Sequence, residues 1–196
     1  MEKISVIIPT MNRDDLLKTC IRNIPDDESI NEIIVVNNNS DKKPLQRWCL
    51  SQPRVIKCID NGDPLTFAKS NNIADIGAKG DILWLLNNDT FVDARCKDVM
   101  LKVLTDGRAD IVGAKLFFPD GLVQHAGIGF SNQEFFPLHV WRFADIGDPA
   151  VCCDRYVIAV TFANVMMLYK IFFVHNTFLI NFNSFFRMNS LKAFFI

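Results

Sequence analysis

The stretch Ile82-Leu83-Trp84-Leu85-Leu86-Asn87-Asn88-Asp89-Thr90 decides the fold. Its unbroken apolar run, with Gly80-Asp81 in front and amides behind, spells a short strand buried on both faces, as inside parallel sheets. The run ends at one carboxylate set among amides. In an open α/β sheet, ligands bind at the carboxyl ends of the strands. An acid presented there suits a hard divalent cation, which takes oxygen ligands and shares them with substrate phosphates. Asn and Asp also favour plain turns, so the tetrad alone leaves a polar turn as the competing reading.

The pattern repeats on the amino-terminal side. Ile4 to Ile8 is an apolar β-branched run ended by Pro9-Thr10, and Ile33 to Val36 runs into Asn37-Asn38-Asn39-Ser40-Asp41. Val55 to Ile59 reads as a third strand. Between these strands Leu16, Leu17, Cys20, Ile21 and Ile24 form a helical stripe closed by Pro25, with Asn12 or Asp14 as its cap. A polar helix is expected around Leu45 to Leu50, and a small-residue helix over Thr66 to Ala78, stopped by Gly80. After the tetrad, Asp93 caps a helix with the stripe Cys96, Val99, Met100, Val103 and Leu104. Pro119-Asp120-Gly121 reads as a turn between short strands, and Val157 to Leu168 as a strand plus the start of a helix. The alternation of strands and helices predicts an α/β fold, a Rossmann-like, mostly parallel sheet with helices on both faces. Three polar strand ends (Thr10 to Arg13, Asn37 to Ser40, Asn87 to Asp89) then share one edge.

A chain of 196 residues makes one domain or one and a fraction. The net charge of -1 gives no case for nucleic acid as a partner. No G-x-G-x-x-G follows the first strand and no P-loop signature occurs, which disfavours the ordinary dinucleotide and P-loop modes. A sugar nucleotidyltransferase needs a Gly-rich loop with Arg and Lys after the first strand, and none follows Ile8. The 6 cysteines form no C-x-x-C pair, and Met1-Glu2-Lys3 leads straight into a strand, so reduced thiols and a cytoplasmic location are expected. A membrane span over Val157 to Ile180 is interrupted by Asn164, Lys170, His175 and Asn176. Each mid-span charge costs roughly 2.5 to 3.5 kcal/mol.

Ser5-Val-Ile-Ile-Pro-Thr-Met-Asn-Arg13, Glu32-Ile-Ile-Val-Val-Asn-Asn-Asn-Ser40 and Phe67-Ala-Lys-Ser-Asn-Asn-Ile73 come in a telling order. They are followed by Gly80-Asp-Ile-Leu-Trp-Leu-Leu-Asn-Asn-Asp-Thr90 and by Gly113 to Gly127 with its Pro119-Asp120-Gly121 and Gln124-His125-Ala126-Gly127 elements. Together these stretches resemble the family-2 inverting glycosyltransferases of the GT-A fold, over about residues 3 to 170, and most of all rhamnosyltransferase-type members that build cell-surface polysaccharide. The resemblance implies a nucleotide-diphosphate sugar as donor, a glycan or lipid-linked acceptor, and Mg2+ or Mn2+ as cofactor. Pro9, Thr10, Asn12, Asn37, Asn39, Asn72 and Asn88 would line the donor site, and Asp89 would hold the metal in the position of the family's D-x-D. Asn37 stands where the family usually has an Asp that contacts the base. Asn12 and Ser40 serve equally well as helix caps, and Asn71 and Asn72 as helix surface. His125 reads as a strand-end histidine with a satisfied hydrogen bond, with no second His or Cys at metal spacing. Trp84 and Trp141 read as packing residues.

Inverting transfer also needs a base to take the proton from the acceptor hydroxyl. The family carries that acid in its second half, yet every Asp and Glu here lies at or before Asp154. Residues 1–170 are therefore expected to form the GT-A donor-binding domain, and 171–196 a degenerate Phe/Asn-rich segment. Either the product is truncated or frame-altered, or the base is lost. The alternative function is a non-catalytic nucleotide-sugar-binding or interaction protein, docking through the Phe-rich end to a partner enzyme or to a membrane, peripherally at the inner face of the plasma membrane.

Overall fold

The computed structural model describes residues 2–38, 42–61, 64–130, 137–157, 159–169 and 193–195. The order in the first half is β1 (Ile4–Thr10), α1 (Asp14–Asn23), β2 (Ile30–Asn38), α2 (Lys42–Ser51), β3 (Val55–Asn61), α3 (Phe67–Asp75) and β4 (Ile82–Leu86). There follow α4 (Cys96–Thr105), β5 (Ile111–Gly113), β6 (Leu116–Phe117), β7 (Val123–His125), β8 (Ile128–Phe130) and β9 (Pro137–His139). The last strands are β10 (Arg155–Tyr156), β11 (Asn164–Leu168) and β12 (Ala193–Phe195).

The main sheet runs β10-β12-β5-β11-β4-β1-β2-β3. β1 pairs in parallel with β2 on one side and β4 on the other. The chain thus winds outward through β2 and β3, then returns past β1 to lay down β4. That reversal is a topological switch point, and the crevice it leaves lies at the carboxyl ends of β1 and β4. β11 enters antiparallel between β4 and β5, so Val157 to Leu168 contributes a strand where the sequence suggested a strand plus a helix start. Part of the segment set apart as degenerate also joins the sheet, since β12 pairs in parallel with β5.

The core follows the two-residue period of buried strands. Ile4, Val6 and Ile8 of β1, with Ile82, Trp84 and Leu86 of β4, face Leu17 and Cys20 of α1, Leu45 and Cys49 of α2, and Met100 of α4. Ile7, Leu83 and Leu85 face the other way, toward Ala74 of α3, Val123 and Val160. Helices therefore cover both faces. Gly80 is required where the chain enters β4. A Cβ there would lie 2.5 Å from the Ser5 amide nitrogen and 2.7 Å from the Lys3 carbonyl oxygen, closer than real Cβ atoms approach.

Two helix starts differ from expectation. The α1 cap is Arg13, whose side chain bonds Asp15 and does not cap the helix, while Asn12 adopts φ 55 in the turn. The α4 cap is Arg95, with Asp93, two residues earlier, accepting the Arg95 amide at 2.9 Å. In α4 the buried face includes Lys97 while Val99 is 45% exposed. The Lys97 ammonium is neutralised by Asp27 at 2.5 Å and Asp98 at 2.8 Å, which makes its burial tolerable. Among the described residues no helix is long and apolar enough to cross a membrane.

Candidate functional site

A cleft of about 340 Å³ occupies the switch point. Pro9 and Thr10 reach it from β1, Asn88 and Asp89 from the turn after β4, Asn38 from β2, and Phe67 and Ser70 from the first turn of α3. The Asn88 amide donates to the Thr10 hydroxyl at 2.9 Å, tying the ends of β4 and β1 together. Asp89 itself is exposed at the rim. Arg13 lines the same cleft. Its guanidinium is held charged first by Asp15 and more weakly by the field of Asp89. Cys20 lies beneath, its thiol 3.5 Å from the Asn87 carbonyl oxygen and pushed up to about 12 by burial, so it stays protonated.

Four of the residues singled out by sequence thus line the cleft: Pro9, Thr10, Asn88 and Asp89. Asn37 does not. It is buried in register between Thr10 and Asp60, and its amide donates to the Asp60 carboxylate at 2.7 Å. Asn72 also lies off the cleft. α3 turns Phe67 and Ser70 toward it instead, and the Asn72 side-chain oxygen is buried with no hydrogen-bond partner among the described residues. Asn12 sits in the turn before α1 without lining the cleft. Asn39 lies outside the described residues, as do Ser40 and Asp41 and the Phe-rich stretch 171–192 on which membrane docking was placed.

Sequence reading missed Ser70 and Phe67 in the cleft lining, and Asp60 as the partner of Asn37 outside it. The first two had a signal, an i, i+3 pair on the opening turn of α3. Asp60 is placed by its register with Thr10 and Asn37 across three strands, which single-strand patterning does not carry.

A second, wider cleft of about 700 Å³ adjoins the first and shares Asn87 and Asp89 with it. Its walls carry Phe91 and Phe117, 65% and 40% exposed, together with Asp93, Lys115, Gln124 and Asn164. The turn that separates the clefts is held from behind. The Ala163 carbonyl accepts the Asn87 amide at 3.0 Å and the Thr90 hydroxyl at 3.1 Å. The indole of Trp84 donates to Asn164 at 2.9 Å. His125, expected to stand apart from other metal-type side chains, has His139 as neighbour, with their Nδ1 atoms 2.8 Å apart. The hairpin of β8 and β9 brings the two rings together.

One carboxylate among amide and hydroxyl oxygens is a sparse set for a cation. Among the described residues no group of three His, Cys, Asp or Glu gathers to hold a metal. Such a rim fits a hard ion that draws most of its oxygens from a bound diphosphate and water.

This strand order, with its polar rim at the switch point, is that of the GT-A class of glycosyltransferases. Residues 5–195 match the family model "Glycosyl transferase family 2", and the chain belongs to that family. It is 33% identical over 148 residues to the O-antigen biosynthesis protein RfbC of Myxococcus xanthus, covering 69% of this chain and 11% of that protein. Among solved structures, GalNAc-T7 with UDP, GalNAc and Mn2+ superposes with a TM-score of 0.79 at 14% identity, covering 100% of this chain and 42% of that one. The 4-diphosphocytidyl-2C-methyl-D-erythritol synthase of Anaerococcus prevotii gives a TM-score of 0.64 at 11% identity, covering 100% of this chain and 86% of that one. At those identities the likeness is one of fold alone.

Proposed function

We propose that the switch-point cleft binds a nucleotide-diphosphate sugar and that the wider cleft beside it receives the acceptor. The observation that carries this reading is the convergence of Thr10, Asn88, Asp89 and Arg13 on one rim at the carboxyl ends of β1 and β4. Thr10 and Asn88 offer hydrogen bonds to the donor, and Arg13 offers positive charge to its phosphates. Asp89 would hold Mg2+ or Mn2+, which neutralises charge developing on the departing nucleoside diphosphate.

The acceptor is a glycan or lipid-linked sugar of cell-surface polysaccharide. Exposed Phe91 and Phe117 offer apolar faces to pyranose rings, while Asp93 and Gln124 offer hydrogen bonds. The O-antigen role of the Myxococcus relative supports this class of acceptor. Transfer further needs a group to take the acceptor proton, worth roughly 10²- to 10⁴-fold. A non-catalytic sugar-nucleotide binder is the second reading. Donor hydrolysis or transfer above background would exclude it.

Isothermal titration with UDP-, GDP- and dTDP-hexoses, each with and without Mn2+, tests the proposal. Saturable binding of at least one donor, strengthened by the metal, is expected. No binding to any donor under either condition would remove it.

A further inference from the structure

We propose that His125 is a positioning residue for the Asn87–Thr90 turn, acting as a neutral Nδ1–H imidazole that anchors the strap 161–163 behind it. The inference rests on reading that turn as the donor rim. His125 ends β7 and is fully buried. The backbone N–H of Thr161 donates to its Nε2 at 3.4 Å, so that nitrogen presents a lone pair and the proton of the neutral ring sits on Nδ1. Nδ1 lies 2.8 Å from Nδ1 of His139, with the rings at 84° to one another. Two nitrogens at that distance need one proton between them. His125 therefore donates, His139 accepts, and the Nε2–H of His139 is left for solvent. One backbone amide fixes both tautomers. Burial first, and the neighbouring imidazole second, push the His125 pKa down to about 4, which keeps the ring neutral around pH 7.

The strap has its other end at the rim. Ala163, two residues beyond the anchored Thr161, offers its carbonyl to both the Asn87 amide and the Thr90 hydroxyl, the two sides of Asp89. The path His139, His125, Thr161, Ala163, Asn87 is thus built of hydrogen bonds joined by a three-residue span of backbone. A metal held between the two Nδ1 atoms is incompatible with this arrangement. It would drive the His125 proton onto Nε2, directly against the Thr161 N–H, and no third ligand of the usual kind gathers there among the described residues.

Imidazole ¹⁵N NMR on the whole chain at pH 6 to 8 reads the tautomer without any ligand. His125 is expected with Nδ1 protonated and Nε2 bare, the reverse of the usual preference of free histidine; an Nε2–H ring at this position overturns the proposal. His125→Asn keeps a donor near Nδ1 but removes the Nε2 acceptor. It is expected to shift the Asn87 and Thr90 amide resonances and to weaken Mn2+-dependent UDP or GDP binding about three- to tenfold, the scale of one lost hydrogen bond. Unchanged resonances overturn the brace. If neither wild type nor variant binds a nucleotide, the donor reading fails, while the tautomer and the resonances still decide the anchor. Should His125→Asn not fold, exposed His139→Ala serves instead. With the Thr161 N–H still on Nε2, His125 should keep its Nδ1 proton in this variant, and an Nε2–H ring there counts against the proposal.

Discussion

The two walls of the Asn87–Thr90 turn are built on different terms. In front, Thr10 and Asn88 line the cleft from β1 and from the turn after β4, with Asn37 and Asp60 paired beside them near the ends of β2 and β3, each one or two residues beyond an apolar run. Behind, the strap 161–163, β11 and the β6–β9 segments are gathered by antiparallel pairing and by side chains far apart in sequence: Trp84 with Asn164, and His125 with His139. The front wall is a property of strands and the back wall a property of contacts. A parallel strand buried on both faces fixes its end by hydrophobicity alone, whereas the back wall depends on which distant groups find each other.

The largest break in this contrast is Trp84→Ala, because Trp84 belongs to both walls. It is fully buried in β4 and donates to Asn164 on β11. Loss of about 3 to 5 kcal/mol is expected in urea unfolding. Asp89→Ala should spare stability and disable the rim alone. Mn2+-dependent nucleotide affinity should fall at least tenfold, about 1.4 kcal/mol, by titration calorimetry, with the unfolding midpoint unchanged.

A smaller effect comes from the opposite end of α3, away from both walls. Burial raises the Asp75 carboxyl from 3.8 to about 6, and its Oδ1 has no hydrogen-bond partner among the described residues. The folded state then binds the proton more tightly than the unfolded chain. Stability from this group is fully present below about pH 4 and is lost as pH rises toward 6. Asp75→Ala should stabilise the protein by on the order of 1 kcal/mol at pH 7, and the gain should vanish near pH 4. Thr90→Val is the finest probe. It removes the hydroxyl bond to Ala163 but keeps the backbone bond from Asn87, so a loss of about 0.5 to 1 kcal/mol is expected, with nucleotide affinity within about twofold of wild type.

The front wall was legible because burial on both faces leaves an unbroken apolar run in the sequence. Ile4 to Ile8, Ile33 to Val36 and Ile82 to Leu86 announced themselves and their polar ends. Even there, reading one strand at a time assigned Asn37 to the cleft, when the register hands its amide to Asp60. In α3, a small-residue helix without an apolar stripe did not announce its buried face: Asn71, open to a surface reading, is fully buried, and Ser70 rather than Asn72 reaches the rim. The back wall left little trace. β11 carries no period that separates it from a helix start, and no local spacing links His125 to His139, because a hairpin makes that meeting.

The cysteines carry a practical consequence. Cys20 is buried and stays protonated, Cys49 is buried, Cys58 and Cys96 are half-buried, and Cys152 and Cys153 stand in solvent. Maleimide chemistry at neutral pH should therefore modify the vicinal pair first. Their neighbour Val151 accepts from the ammonium of Lys115, which lines the wider cleft. The molecule thus brings its own attachment point for a dye or spin label, one residue from a group that contacts that wall.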